Sequence, residues 1–266
     1  MSSLPATAKS LQQNLDFAKE IYGYEVIHTN SGVFLFHSGL DDVYSNQFIQ
    51  LTNDPLDFLV VKKEFLLRKK QVSVVIPSFI IFQPIEILKA NNLQIFEKEV
   101  CMTYNNLVEK TEFKLKDNIA VITDLDGVVF KEIFEKVYSK PISKENPYGE
   151  IDFGYLKLID YSYKPHKAYY KIENFLILLN QTPVACVSLA SSRSGSYIYS
   201  LATLPEFRNQ GLGTSAINYC IKTWQEQKLN SNLYLITTQN SHLEKFYTKL
   251  NFRTMFSQDI YREVNP

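Results

Sequence analysis

The chain is poor in cysteine, with Cys101, Cys186 and Cys220 as its three, scattered and odd in number. That count excludes a disulfide framework, and the spacing excludes a cysteine metal cluster. A reducing compartment is expected. No charge excess exists either: 28 Lys+Arg balance 28 Asp+Glu, which argues against a broad basic footprint for nucleic acid or anionic lipid. Long apolar runs are missing, and none reaches the roughly 18–20 residues that cross a bilayer. The first residues, Met1 to Lys9, carry no apolar segment of the secretory type. A soluble cytoplasmic protein without nucleic-acid or membrane partners is the expectation. What the chain has is apolar and aromatic bulk: 45% hydrophobic residues, including 17 Tyr and 18 Phe, enough for packed cores. At about 150 residues per domain, 266 residues make two small domains or one large one.

Alternation and turn residues predict a helix over Ser10–Tyr22, then strands at Val33–Phe36, Phe48–Leu51, Phe58–Val61 and Val72–Ile76. A helix starting near Pro84 runs to a left-handed stop at Asn91–Asn92, and a strand follows over Gln94–Tyr104. The polar segment Asn105–Asn118 reads as a linker, giving domains 1–113 and 114–266. Past it come a strand at Ile119–Thr123, a helix over Val128–Tyr138 and a long polar stretch, Ser139–Lys167. Strands are then predicted at Asn174–Leu179, Val184–Ala190 and Tyr197–Leu204, with helix Thr214–Lys228, strand Leu233–Thr237 and helix Ser241–Leu250. A final strand, Arg253–Val264, should break near Ser257–Gln258. The order is α+β.

The chemically informative stretch is Leu201–Ser215, in which a strand enters a loop holding Gly211 and Gly213, and the loop opens a helix. Glycines let backbone approach a ligand. The helix start offers unpaired N–H groups and a partial positive charge, a seat for phosphate. A Walker loop needs a lysine after its last glycine, and a dinucleotide fingerprint needs a third glycine; neither is present.

The run Pro205-Glu-Phe-Arg208-Asn-Gln-Gly211-Leu-Gly213 resembles the Arg/Gln-x-x-Gly-x-Gly/Ala motif of the GNAT family of acetyl-CoA-dependent N-acetyltransferases. Asn240-Ser-His-Leu-Glu-Lys-Phe-Tyr247-Thr-Lys-Leu-Asn251-Phe252 resembles the family's second landmark, Asn-x-x-Ala-x-x-Leu-Tyr-x-Lys-Leu-Gly-Phe. Departures are Leu243, Phe246 and Asn251, the last able to replace glycine in a left-handed turn. The resemblance covers Ile119–Val264 and is strongest over Phe175–Phe252. It implies two GNAT-like domains, each a mostly antiparallel mixed sheet flanked by helices, with acetyl-CoA in the splayed-strand cleft of the second. It implies acetyl transfer from acetyl-CoA to an amine, with no metal. Pyrophosphate would sit on the amides of Asn209, Gln210, Gly211, Leu212, Gly213 and Thr214. Pantetheine would run along Leu201, Ala202 and Thr203, where a bulge gives an oxyanion donor. Tyr247 would protonate the departing thiolate. Asn240 would hold pantetheine or a water, or cap its helix; Arg208 would orient the loop, meet phosphate, or stay solvated.

The strand Tyr197–Leu204 lacks the acid that many relatives use as base. Proton removal would pass through water held by Tyr197, Tyr199 or Ser200, or through the Ser139–Lys167 segment, which includes His166. The run Leu88–Tyr104, a helix, an Asn-Asn turn and a strand, resembles the closing helix–strand of a GNAT domain, but the presumed loop of that half, Lys62–Lys70, has no Gly-x-Gly. A degenerate GNAT-like half that shapes the acceptor cleft is the expectation. Two rival readings stand beside this one. The first is a non-catalytic acetyl-CoA-binding module. The second is a haloacid-dehalogenase-type phosphatase, resembled by Asp124-Leu-Asp126-Gly127 but without its downstream acidic pair.

Overall fold

The computed structural model describes residues 22–41, 44–104, 114–138, 153–165, 170–192, 195–227 and 232–264, with 15, 18 and 19. Most of the predicted helix Ser10–Tyr22 and most of the predicted linker fall outside them. The chain divides into two compact units. The first takes its described residues from Met1–Met102, Ile236–Lys245 and Thr254–Pro266; the second takes Thr103–Leu235 and Phe246–Arg253.

The first unit orders its strands β1 (Glu25–His28), β2 (Gly32–Phe36), β3 (Gln47–Gln50), β4 (Ser73–Pro77), β11 (Phe252–Glu263) and β5 (Leu93–Tyr104). The β1–β2, β2–β3 and β4–β11 pairs are antiparallel and β3–β4 is parallel. Helix α1 (Phe58–Leu67) makes the crossover between the parallel strands, and α2 (Ile85–Ala90) precedes β5. The predicted strand Phe58–Val61 is therefore the first turn of α1. Asp57 accepts the Val60 N–H as its N-cap, and Phe58, Val61 and Phe65 fall on one buried face. Phe65, fully buried beside Phe34, Phe36 and Phe48, stabilises the fold by about 1.5–3 kcal/mol. Asn92 has φ +60, the left-handed stop expected after α2. Strand β11 runs without the expected break. Ser257 exchanges hydrogen bonds with Ser78 (2.7 and 3.1 Å), and the Gln258 amide donates to Glu99 (2.7 Å), so both polar residues are satisfied in the sheet.

The second unit orders its strands β10 (Leu233–Thr238), β9 (Ser196–Thr203), β8 (Thr182–Ser192), β7 (Tyr170–Leu179) and β6 (Ile119–Thr123), antiparallel except for the parallel β9–β10 pair. Asn180 and Gln181, both at positive φ, make the two-residue turn of the β7–β8 hairpin. Helix α3 (Val128–Tyr138) matches its prediction, while α4 (Phe153–Ser162) lies inside the stretch read as polar loop. Its buried Leu158 and Ile159 are outweighed in the sequence by Pro141, Pro147 and Pro165 around it. One sheet face packs on α3 and α4 through Phe130, Phe134, Ile159, Leu176, Cys186 and Ala202. Helix α5 (Leu212–Glu226) buries Ala216, Ile217, Cys220, Ile221 and Trp224, and its Tyr219 ring meets Phe175 of β7 edge-on at 5.1 Å. Helix α6 (His242–Lys249) precedes β11. Element order β1-β2-β3-α1-β4-α2-β5 recurs as β7-β8-β9-α5-β10-α6-β11.

Candidate active site

The site grows out of an irregularity in β9. Cys186 pairs with Ala202 and Ser188 with Tyr199, so Ser200 and Leu201 together oppose Val187. This is a β-bulge, and Ser200 takes the left-handed φ of +53 to make it. The Cys186 thiol donates to the Ser200 carbonyl (3.8 Å) and the Tyr138 hydroxyl to the Leu201 carbonyl (3.3 Å), which pins both bulge carbonyls. On the other edge of β9 the parallel pairs with β10 are Ser196–Leu233 and Tyr197–Tyr234, and β9 runs on for six more residues. Ala202 is buried among the α3 core residues. Leu201 and Thr203 are half-buried.

Beyond β9 the chain makes a 3-10 turn at Pro205–Phe207 and passes through Arg208 in an extended conformation. Asn209 (φ +62) and Gly211 (φ +85) then turn it into α5. Gly211 caps that helix without a side chain, so the N–H groups of Leu212, Gly213 and Thr214 have no partner within it. They and the helix dipole favour an anion at this point. Among the described residues, a Cβ placed on Gly211 would meet the Lys116 ammonium alone, at 3.8 Å; one on Gly213 would touch Phe246 at 3.5 Å. Asn209, Gln210 and Gly211 are exposed, whereas the Leu212 side chain is buried and offers the site backbone alone. Arg208 donates its Nε–H to the Thr203 carbonyl (3.2 Å). Lys116 escaped the sequence reading because it carries no motif and lies in a charge-rich segment read as linker.

Tyr247, in α6, is buried, with its ring 5.1 Å from Phe246 and 6.1 Å from Phe252. Phe252 in turn meets Tyr104, and Tyr104 meets Trp224. Asn251, at φ +67, ends the helix in the glycine-like conformation its motif position requires. Asn240 is not the helix cap. It has φ +59, and the cap is Ser241, whose hydroxyl accepts the Glu244 N–H (3.2 Å) while the Glu244 carboxylate accepts the Asn240 N–H (2.6 Å). Leu201–Thr203, Arg208–Thr214 and Tyr247 lie in the second unit, and Asn240 in the first.

Among the groups considered as base, Tyr197 stacks on Tyr199 with ring centroids 5.7 Å apart and also meets Tyr234. His166 lies outside the described residues. The phosphatase-like motif is used otherwise: Asp126 accepts the Val128 N–H at the start of α3 (3.0 Å), and Asp124 accepts the Tyr163 hydroxyl (2.7 Å). Among the described residues no three His, Cys, Asp or Glu side chains are grouped as a metal would require. In the first unit, burial pushes the Glu99 carboxyl up to about 7, with Gln258 opposing and Glu97 reinforcing the shift. No sequence pattern marks Glu99, whose character comes from its surroundings.

The bulged strand β9 thus feeds a loop that turns at a left-handed glycine into α5. Residues 135–252 match the model of the acetyltransferase (GNAT) family. A GCN5-related N-acetyltransferase from Kribbella flavida is similar over 99% of this chain and 98% of its own, at 13% identity and TM-score 0.73. A tandem GNAT protein from the clavulanic acid biosynthesis pathway is similar over 100% of this chain and 90% of its own, at 10% identity and TM-score 0.60. A GCN5-related N-acetyltransferase from Sphaerobacter thermophilus is similar over 95% of this chain and 84% of its own, at 10% identity and TM-score 0.59. No curated protein matches the chain by sequence. Residues 135–252 are thus similar to the GNAT acetyltransferase family, and the α+β fold is that of the structural neighbours.

Proposed function

We propose that the protein is an N-acetyltransferase that moves the acetyl group of acetyl-CoA to a primary amine, with the chemistry in its C-terminal half. The observation that carries this reading is Gly211, left-handed and free of side-chain caps, opening α5 directly after the bulged strand β9. The amides from Asn209 to Thr214 would hold the pyrophosphate, with the Lys116 ammonium close by. The bulge at Ser200–Leu201 would free a backbone N–H for the thioester oxygen as negative charge develops there. Tyr247 would give its proton to the thiolate as it leaves. Arg208 would act by setting the loop. Part of the proposal is a cytoplasmic location, which three free, buried thiols suit.

The N-terminal half is read as a degenerate copy. Its helix α1 stands where α5 stands in the repeat of element order, and β3–β4, like β9–β10, is a short parallel pair. The segment entering α1, Thr52-Asn-Asp54-Pro-Leu-Asp57, contains no glycine, and the Asp57 carboxylate itself accepts the Val60 N–H in the first turn. An anion there would meet the negative charge of Asp57.

One observation favours a second reading, a module that binds acetyl-CoA without turnover: β9 carries no acidic side chain. A single experiment decides between them. The full chain is given acetyl-CoA with kanamycin, spermidine, lysine, a peptide with a free N-terminus, or a lysine-containing acetyl-capped peptide, and CoA release is followed. Release stimulated by one of these amines supports the transferase; tight binding without release from any of them supports the module.

A further inference from the structure

We propose that Tyr163 and Asp124 form the proton-accepting pair of this reaction, Tyr163 touching the attacking amine and Asp124 standing behind it as a positioning residue that receives the proton. The inference rests on the transferase reading above, and it supplies the acid that β9 lacks.

The Asp124-Leu-Asp126-Gly127 motif is spent on seating this one tyrosine. Tyr163 follows the last residue of α4, and its hydroxyl donates to Asp124 Oδ2 at 2.7 Å. Its ring lies against bare backbone: a Cβ on Gly127 would come within 2.7 Å of Tyr163 Cε2, and Gly127 has φ +78. Phe130 meets the ring edge-on at 6.5 Å. Asp126, by capping α3, fixes the turn between these contacts. The Asp124 main chain is tied as well, since its N–H donates to the Asn174 carbonyl at 2.8 Å. The Asn174 side chain bonds Ser162 (3.0 Å) and Ser188 (2.7 Å), locking β7, β8 and the end of α4 together. Such over-determination holds a group at a fixed position before substrate arrives.

The seat also faces the reactive strand. Tyr163 packs against the core cluster that contains Cys186 and Ala202, the pair flanking the β9 bulge. Both Asp124 and Tyr163 are half-buried, so the pair is reachable. Burial first, then the Asp124 hydrogen bond and charge, with smaller contributions from Cys186 and Tyr199, push the phenol up. It therefore stays protonated, donates to Asp124, and keeps acceptor capacity on its oxygen for an amine N–H.

The step balances. The amine nitrogen forms a bond to the thioester carbon. Its proton passes to the Tyr163 oxygen as the Tyr163 proton passes to Asp124 Oδ2. The C–S bond breaks, and the CoA thiolate takes the Tyr247 proton. Solvent then removes the proton from Asp124 and restores the one on Tyr247.

The test uses Asp124→Asn, Tyr163→Phe and the double variant in the full chain, with acetyl-CoA and the panel amine that releases CoA fastest. Asparagine keeps an acceptor oxygen for Tyr163 and cannot take its proton, so D124N should fold as the parent does. The expected result is a kcat lowered about 10²-fold or more in each single variant. Acetyl-CoA affinity by calorimetry and the amine KM should stay within about twofold, and the double variant should be no slower than the slower single. A D124N kcat equal to that of the parent overturns the proposal alone, as do losses that multiply in the double variant or a collapse of acetyl-CoA affinity in D124N. A parent protein that binds acetyl-CoA and transfers to no amine overturns the transferase reading, and this inference with it.

Discussion

Arg208 donates its Nε–H to the carbonyl of Thr203 at 3.2 Å, reaching from the glycine loop back to the last residue of β9. The loop is thus tied to the bulged strand without any ligand. A hydrogen bond from a charged group contributes about 1.5–3 kcal/mol, and part of that holds the loop in its binding geometry. Arg208→Ala should raise the acetyl-CoA Kd about tenfold, which is 1.4 kcal/mol, in a chain that remains folded. Calorimetry beside a thermal melt checks this; an unchanged Kd would assign Arg208 to the solvated surface.

The two glycines of the loop should behave differently. Gly211 needs its φ of +85, a region costing an L-residue roughly 1–2 kcal/mol, so Gly211→Val should lower the thermal midpoint and raise the acetyl-CoA Kd at least ~tenfold. Gly213 lies inside α5, where an added Cβ makes ordinary contact with Phe246 at 3.5 Å. Gly213→Ala should keep or raise the midpoint, since alanine is the better helix former by about 1 kcal/mol. Gly213→Val should weaken binding by filling the space before the amides. If G211V matches the parent in both readouts, the loop is not the phosphate seat.

These contrasts show where sequence was legible. Gly211, Gly213, Tyr247 and Asn251 announce themselves because a glycine, a tyrosine or an asparagine at a fixed offset is a local requirement of backbone conformation or motif. Phe58–Val61 reads as a strand because four apolar residues fit a strand or a buried helical turn equally, and the deciding feature is Asp57 accepting the Val60 N–H. Ser257 and Gln258 look like a break until Ser78 and Glu99, far away in sequence, satisfy them. The bulge at Ser200, the ammonium of Lys116 beside Gly211 and the Tyr163–Asp124 bond are tertiary facts. They depend on pairing between segments, and no spacing within one segment encodes them.

Tyr247→Phe separates catalysis from packing. The ring stays between Phe246 and Phe252, so the variant should fold. In the proposed reaction the hydroxyl acts only as the thiolate leaves, so single-turnover transfer should slow about 10²-fold, the low end for a general acid, with acetyl-CoA affinity unchanged. A normal rate with a midpoint lowered by the roughly 1 kcal/mol of a lost buried hydrogen bond would make Tyr247 a core residue.

Glu99 gives the fold a pH signature. Its carboxyl is raised from 4.5 to about 7 by burial, so between those values the folded chain holds a proton that the unfolded chain releases. Its contribution is therefore most favourable below about pH 4.5 and is lost as pH rises through 7. In Glu99→Gln the difference from the parent should grow over that window, the variant becoming the more stable above it. Denaturant unfolding at pH 5 and pH 8 measures it; parallel stabilities for the two proteins would show that Glu99 ionises normally in the fold.

The central claim is that one half of this chain is built to hold acetyl-CoA and the other is not. Gly211 leaves the α5 amides open, while at α1 the Asp57 carboxylate caps the Val60 N–H and sets a negative charge at the helix start. Titrating acetyl-CoA into the full chain in a calorimeter tests this most directly. The predicted result is one site per chain, lost in Gly211→Val; two sites per chain, or one site that survives that substitution in a folded protein, would contradict it.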